Sequence, residues 1–245
     1  MDKLIYLAAQ AAKSTMARQD NIANNLANVS TPGFRAQLMA FRSAPVEGQG
    51  EGARNYDVES SVGFDDTPGQ LQSTGRTLDL AVQGKGWFAV TAGDGSEAYT
   101  RAGSFQLDDA GQLVTNGGLP VQGTGGPISV PPGYSISVAD DGTMTGTPTT
   151  GKATPIQLGK LKLVNPAKDT MERSDDGLFR VKGGGAADVD PNVKIASGYI
   201  ETSNVNPVEM LVEMISAARS FETQMKTISS QQQNGQAANN LFSLN

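Results

Sequence analysis

Two amphipathic segments at opposite ends of the chain constrain its fold most, because neither has a helical partner nearby in the sequence. In residues 5–26, apolar side chains recur at spacings of three and four, as on one side of an α-helix. The second segment begins with Asn206 as a predicted N-cap, Pro207 as the first helical residue and Glu209 near the free amides. We therefore expect two long helices that pack against each other or against neighbouring subunits.

The predicted stripe of the first helix is rich in alanine, which adds little buried surface but permits close approach of another helix. Its members are Ile5, Ala9, Ala12, Met16, Gln19, Ala23 and Leu26. The second stripe is apolar for about three heptads and polar afterwards. Its members are Met214, Ala218, Phe221, Met225, Ile228 and Gln232. The triplet TPG at 31–33 ends the first helix, since the residue before proline avoids helical geometry and glycine favours left-handed dihedrals.

Everything between the helices has the pattern of strands and turns. Predicted strands cover 78–83, 87–90, 99–107, 113–115, 134–138, 156–164, 178–181 and 193–200. Acidic or amide residues precede glycine in the separators at 108–111, 116–118, 140–142 and 175–177, as tight hairpins require. The expected fold class is α+β, in which the two helices pair as a coiled coil around a central, mostly antiparallel β domain.

The expected domain organisation follows from these patterns. Residues 1–42 and 203–245 form a helical domain, and residues 68–202 form a β-rich outer domain. The intervening stretch at 43–67 is rich in glycine and glutamate with little periodicity, which favours an extended connector, either docked or loose.

Composition excludes several classes of function. The chain has no cysteine and no histidine, so thiol nucleophiles, Ser-His-Asp triads and Cys/His zinc sites are ruled out. A net charge of −6 argues against nucleic-acid binding. The acidic turns lack the ligand spacing of an EF-hand, so we expect no metal and no cofactor.

No segment is apolar enough to insert into a membrane, and the first residues do not have the pattern of a cleaved signal peptide. We expect no enzymatic activity.

Four segments then resemble one known family, the flagellar axial proteins of the bacterial rod and hook. They are ANNLANVSTPGFR (23–35), TLDLAVQGKGWFAV (77–90), YTRAGSF (99–105) and GYIETSNVNPVE (198–209). The segments occur in the family's order and extend over nearly the whole chain. The length is too short for a hook protein, which carries a further large domain, and MDKLIY (1–6) with PGFRAQ (32–37) is closer to a proximal-rod than to a distal-rod member.

The resemblance implies a structural subunit of the proximal rod, which transmits torque from motor to hook. Its implied partners are other proximal and distal rod proteins, copies of itself, the flagellar type III export apparatus and a rod-capping protein. Its implied location is the periplasmic rod of the basal body, reached without a cleaved signal. The expected assembly interface consists of Ile5, Ala9, Ala12, Met16, Ala23, Asn25, Leu26, Asn28, Met214, Ala218, Phe221, Met225 and Ile228.

Other classes stay open at this stage. A distal-rod subunit would share the same family features. A secreted adhesin or β-rich binding module would keep the β domain but act as a monomer, whereas an assembly scaffold would bind the rod only transiently. A hydrolase based on carboxylates is the enzymatic alternative.

Overall fold

The computed structural model describes residues 2–45, 55–149 and 154–242, which divide into two compact units. The first, which we call the helical unit, combines the described residues of 1–29, 36–64 and 205–245. The second, which we call the β unit, combines 30–35 with the described residues of 65–204. Each unit is therefore built from segments that are distant in sequence.

The helical unit contains two helices and one hairpin. Helix α1 spans Asp2–Ala27 and helix α2 spans Pro207–Phe242. Strands β1 (Gln37–Pro45) and β2 (Asn55–Phe64) pair antiparallel, with Gln37 opposite Phe64 and Pro45 opposite Asn55. The helices contact each other, and the hairpin contacts α1.

The predicted helix boundaries are confirmed by their capping geometry. The Asn206 Oδ1 atom accepts hydrogen bonds from the backbone N–H groups of Val208 at 3.1 Å and Glu209 at 3.4 Å, so it satisfies two free amides of α2. After α1, Gly33 adopts a positive φ of 69°, the left-handed conformation that the TPG triplet predicts.

The β unit consists of short strands. They are β3 (Leu71–Ser73), β4 (Leu80–Gln83), β5 (Trp87–Thr91), β6 (Glu97–Thr100), β7 (Phe105–Leu107), β8 (Leu113–Thr115), β9 (Gln122–Gly123), β10 (Gly126–Pro127), β11 (Tyr134–Val138), β12 (Thr143–Pro148), β13 (Ile156–Lys160), β14 (Leu163–Val164), β15 (Met171–Arg173), β16 (Phe179–Val181), β17 (Lys194–Ser197) and β18 (Tyr199–Glu201). A single turn of 3₁₀ helix, Lys168–Thr170, precedes β15.

All strand pairs among the described residues are antiparallel. The largest sheet has the order β14-β5-β6-β16-β15, and a second has the order β11-β12-β13. Strand β17 pairs with β4, and β18 pairs with β3, so the end of the unit returns to its beginning. The core includes Phe88 and Phe105, whose rings meet edge to face at 5.2 Å, and Met144, all fully buried.

The α+β class and the mostly antiparallel β domain are confirmed, whereas pairing of the helices as a coiled coil stays a prediction.

All four turn predictions are correct, since Gly111, Gly118, Gly142 and Gly177 have positive φ. The predicted strand at 99–107 is divided in two, because residues 101–104 lie between β6 and β7. The strands at 71–73, 143–148 and 171–173 were not predicted, because they are short or contain glycine and proline.

The stretch at 43–67 differs from the expected connector. Residues 43–45 and 55–64 lie in the paired strands β1 and β2, and residues 46–54 lie outside the described residues. Hydrogen bonding between backbones holds such a hairpin together, and composition does not reveal it. The domain boundaries as a whole stay a prediction.

Among the described residues, neither helix is long and apolar enough to cross a membrane.

Replacement of Phe88 tests whether the β unit has one cooperative core. We expect Phe88→Ala to lower its free energy of unfolding by about 3–5 kcal/mol, because the fully buried ring leaves a cavity. Urea unfolding followed by the fluorescence of Trp87, the only tryptophan, measures this change. The control Leu107→Ala, at a side chain 38% exposed, should cost far less; equal costs would contradict the core assignment.

Candidate functional site

The two helices of the helical unit run antiparallel. Two side-chain contacts fix this direction, since Gln224 Nε2 donates to Thr15 Oγ1 at 3.0 Å and Arg18 lies 3.5 Å from Glu213. Ala12 and Ile22 of α1 and Ala217 of α2 are buried. The face between the helices therefore contains small and apolar side chains, as the sequence pattern indicates.

The structure divides the predicted stripe of α1 between two sides of the helix. Ala12 is buried and Leu26 is half-buried, but Ala9, Met16 and Ala23 are exposed. Because a straight helix drifts relative to a seven-residue repeat, a register one residue away fits equally well, and Ile22 is buried in place of Ala23. Ile5 lies within α1, in a part of the chain whose side chains are not described.

On α2, the predicted stripe is closer to the observed inner face. Met214, Ala218, Phe221 and Ile228 are half-buried, whereas Met225 is 46% exposed. Ala217 is the most buried of the described side chains on this helix. Whether these residues form an interface between subunits stays a prediction.

Asn25 has a role within its own chain. Its side chain is buried, its Nδ2 donates to the Gln37 carbonyl at 3.0 Å, and its Oδ1 accepts from the Gln37 N–H at 2.8 Å. This pair of bonds ties α1 to the start of β1. Asn28 donates from Nδ2 to the Asn24 carbonyl at 2.9 Å and so closes the last turn of α1.

A groove of about 390 Å³ opens on the helical unit. Its apolar surface comes from Ile22, Leu38, Met39 and Met210, and its rim carries the exposed pair of Arg18 and Glu213. Ile22 is buried at the bottom, whereas Leu38 is 48% exposed at the edge. The groove is therefore a concave, partly apolar surface.

In the β unit, three of the sequence motifs meet at one buried carboxylate. Glu201 lies 2.6 Å from Arg35 Nη1 and 3.0 Å from Arg101 Nη1, and all three side chains are inaccessible to solvent. The Gly69 N–H also donates to Glu201 Oε1 at 2.8 Å. We call Arg35, Arg101 and Glu201 the charge cluster. It brings together the PGFR, YTRAG and GYIET segments.

Aromatic and backbone groups surround the charge cluster. Both guanidinium groups lie near the ring of Trp87, with Cζ at 6.0 Å for Arg35 and 5.4 Å for Arg101. Arg101 also donates to the Gly84 carbonyl at 2.6 Å. The β unit thereby provides a polarisable and polar environment for two buried cations.

The charge cluster contains two cations and one anion. Burial lowers the pKa of Arg101 to about 10, although the Glu201 carboxylate opposes this change, and Arg35 adds to it. At neutral pH Arg101 is still charged. Among the described residues, Nε and Nη2 of Arg35 and Nε of Arg101 have no hydrogen-bond acceptor. Glu201 is therefore the group on which both cations depend.

Close backbone contacts hold the same segments in place. The Gly33 N–H donates to the Glu201 carbonyl at 2.8 Å. A Cβ atom at Gly33 would lie 2.3 Å from the backbone of Arg101, and φ is positive there, so only glycine fits. The glycine of the PGFR motif thus has a structural explanation.

All three motifs are visible in the sequence, but their pattern does not predict the charge cluster. A charged residue within a strand pattern, such as Glu201 after Tyr199 and Ile200, was the available signal. The described residues contain no group of three or more aspartate or glutamate side chains placed to hold a metal ion.

Neutralising the central carboxylate tests the charge cluster. We expect Glu201→Gln to lower the free energy of unfolding of the β unit by about 3–5 kcal/mol, because two buried cations lose the carboxylate that pairs directly with both. Arg101→Met should lower the free energy of unfolding by less, because the remaining Arg35–Glu201 pair has no net charge. Urea unfolding followed by Trp87 fluorescence gives both values.

The control for this test is Glu172→Gln, at an exposed strand position, which should change the stability by less than about 0.5 kcal/mol. If Arg101→Met cost as much as Glu201→Gln, the carboxylate would not be the centre of the cluster.

Comparison with known families gives three matches along the chain. The family described as "Flagella basal body rod protein" matches residues 5–35. The "Flagellar hook protein FlgE/F/G D1 domain" matches residues 81–146, and the "Flagellar basal body rod FlgEFG protein C-terminal" matches residues 196–241. The matched ranges include α1, much of the β unit and α2.

Similar proteins extend over the whole chain. The flagellar basal-body rod protein FlgF of Salmonella typhimurium is 47% identical over 251 residues, which is 100% of both chains. FlgF of Escherichia coli is 46% identical over the same share. The rod protein FlgG of Bacillus subtilis is 34% identical over 252 residues, covering 93% of this chain and 94% of that protein.

The full-length identity to two FlgF proteins exceeds that to FlgG, and the family matches occur in the order expected from the motifs. The resemblance to the flagellar rod family is confirmed, and the family is structural rather than enzymatic. The chain belongs to the FlgF family of flagellar basal-body rod proteins.

Proposed function

We propose that this chain is a structural subunit of the proximal rod of the bacterial flagellum, which carries torque from the motor to the hook. The observation that carries the proposal is the full-length similarity to FlgF rod proteins. The higher identity to FlgF than to FlgG favours the proximal rod over the distal-rod alternative. No observation favours a separate binding module.

The helical unit is the part of the chain that polymerises. Its helices pair as a coiled coil and pack with those of neighbouring rod subunits along the inner tube. Exposed apolar side chains on both helices support this division, since Met16 is 52% exposed and Val212 is 63% exposed. Contacts repeated along an axis build a tube, and the stiffness of the β core resists torsion.

The partners are other rod proteins and further copies of this chain. The subunit passes through the flagellar type III export apparatus, and it joins the growing rod in the periplasm beneath a rod-capping protein. The absence of cysteine suits folding in that oxidising compartment.

Loss of the chain tests the proposed function directly. In a strain that lacks it, we expect basal bodies whose rods are absent or stop short, together with loss of hooks and motility. Electron microscopy of isolated basal bodies measures this outcome, and restoring the wild-type chain is the control. Complete rods and hooks in the deletion strain would contradict a structural role.

Replacement of Phe221 tests the helical unit as the polymerising part. We expect Phe221→Ala to reduce the amount of the chain in isolated basal bodies several-fold, because its half-buried ring is the largest apolar side chain on the inner face of α2. The urea midpoint reported by Trp87 should not change. Lys226→Ala, at an exposed position five residues further along α2, is the matched control.

A further inference from the structure

The outer side of α2 carries a row of exposed apolar side chains. Val208 is 68% exposed, Leu211 48%, Val212 63% and Ile215 54%. Their spacing of three and four residues places them on one face over the first two turns of the helix. We call these four residues the apolar ridge. Soluble monomers rarely leave such a continuous apolar row in water.

The groove lies on another side of the same helix. Met210 and Glu213 line it, whereas the apolar ridge is centred roughly 150° around the helix axis from Met210. The ridge of one molecule therefore cannot enter its own groove. Because ridge and groove lie on different faces, a second copy could place its ridge in the groove of the first and still accept the ridge of a third copy in its own groove.

The two surfaces are complementary in chemistry. Ile22, Leu38, Met39 and Met210 give the groove an apolar interior, and its 390 Å³ is large enough for several aliphatic side chains. At the rim, the partner of Arg18 among the described residues is Glu213, and this solvent-exposed pair at 3.5 Å contributes little. Glu209, exposed beside the ridge, supplies a carboxylate that could reach Arg18 of another molecule.

The apolar ridge is also rigid before it meets a partner. The Asn206 side chain caps the first turn of α2 by accepting the amides of Val208 and Glu209. A surface fixed in this way loses little conformational entropy on association.

We propose that the apolar ridge of one copy of this chain inserts into the groove of the next copy. The contact is heterologous, since it joins two different surfaces, and repeated contacts of this kind form a ring or an open helical filament rather than a two-fold dimer. The inference rests on the proposed rod function and names the surfaces by which copies of this chain join. These residues differ from the assembly interface expected from the sequence, except that Asn25 lines the groove.

Cross-linking in the assembled rod tests this contact. The chain has no cysteine, so Val212→Cys and Leu38→Cys can be introduced together as its only thiols. With this variant as the sole copy in a flagellated strain, isolated basal bodies are treated with a short bifunctional maleimide. We expect a ladder of dimers and larger species on a denaturing gel, at least tenfold above each single variant.

The controls separate this contact from others. Leu71→Cys with Val212→Cys is a matched pair, because Leu71 is 46% exposed but lies in the β unit, and it should give no ladder. Dimers from Val212→Cys alone would show ridge-to-ridge packing and overturn the proposal. An absence of cross-links in basal bodies that contain the chain would overturn it too, yet leave the rod function intact. Absence of the wild-type chain from basal bodies would instead contradict the rod function.

A second measurement covers variants that fail to enter the rod. Val212→Asp and Leu38→Asp both alter exposed side chains, so the circular dichroism and urea midpoint of the free chain should not change. Each should reduce the chain in basal bodies at least tenfold, whereas Val212→Ile should enter normally. Normal incorporation of either aspartate variant would overturn the proposal.

Discussion

One buried carboxylate holds together the parts of the β unit that come from opposite ends of the sequence. Glu201 faces Arg35, from the segment that follows α1, and Arg101, from the loop after β6. Two buried cations that lose their paired carboxylate are left as uncompensated charges, so removal of this one group is costly. Glu201 lies six positions before Pro207, the first residue of α2.

Much of the fold was predictable because its signals are local. Asp-Asp-Gly turns need glycine at a fixed position, and the capping role of Asn206 depends on residues next to it. The charge cluster was not predicted, since Arg101 and Glu201 are 100 residues apart and nothing in either segment alone reveals the other. The hairpin of β1 and β2 was missed for a similar reason, because strand pairing depends on backbone bonds rather than on composition.

The assembly surface was predictable only in outline. The recurrence of apolar residues at spacings of three and four correctly indicates that each terminal helix has an apolar side. In α1, however, two choices of that side, one residue apart in register, fit the spacing equally well. Ile22 rather than Ala23 is buried within the chain, and Met16 faces solvent. A helix with apolar residues on more than one side is typical of a subunit that packs against several neighbours, and the pattern does not say which side meets which neighbour.

The position of Glu201 has a consequence for the order in which the chain can fold. A chain delivered with its N-terminus first presents Arg35 and then Arg101 long before their shared carboxylate arrives. Until then, burial of either guanidinium would cost its hydration free energy with no paired carboxylate in return. Strands β17 and β18, which pair with β4 and β3, are also absent until then. The native β unit therefore closes only after about four fifths of the chain has emerged.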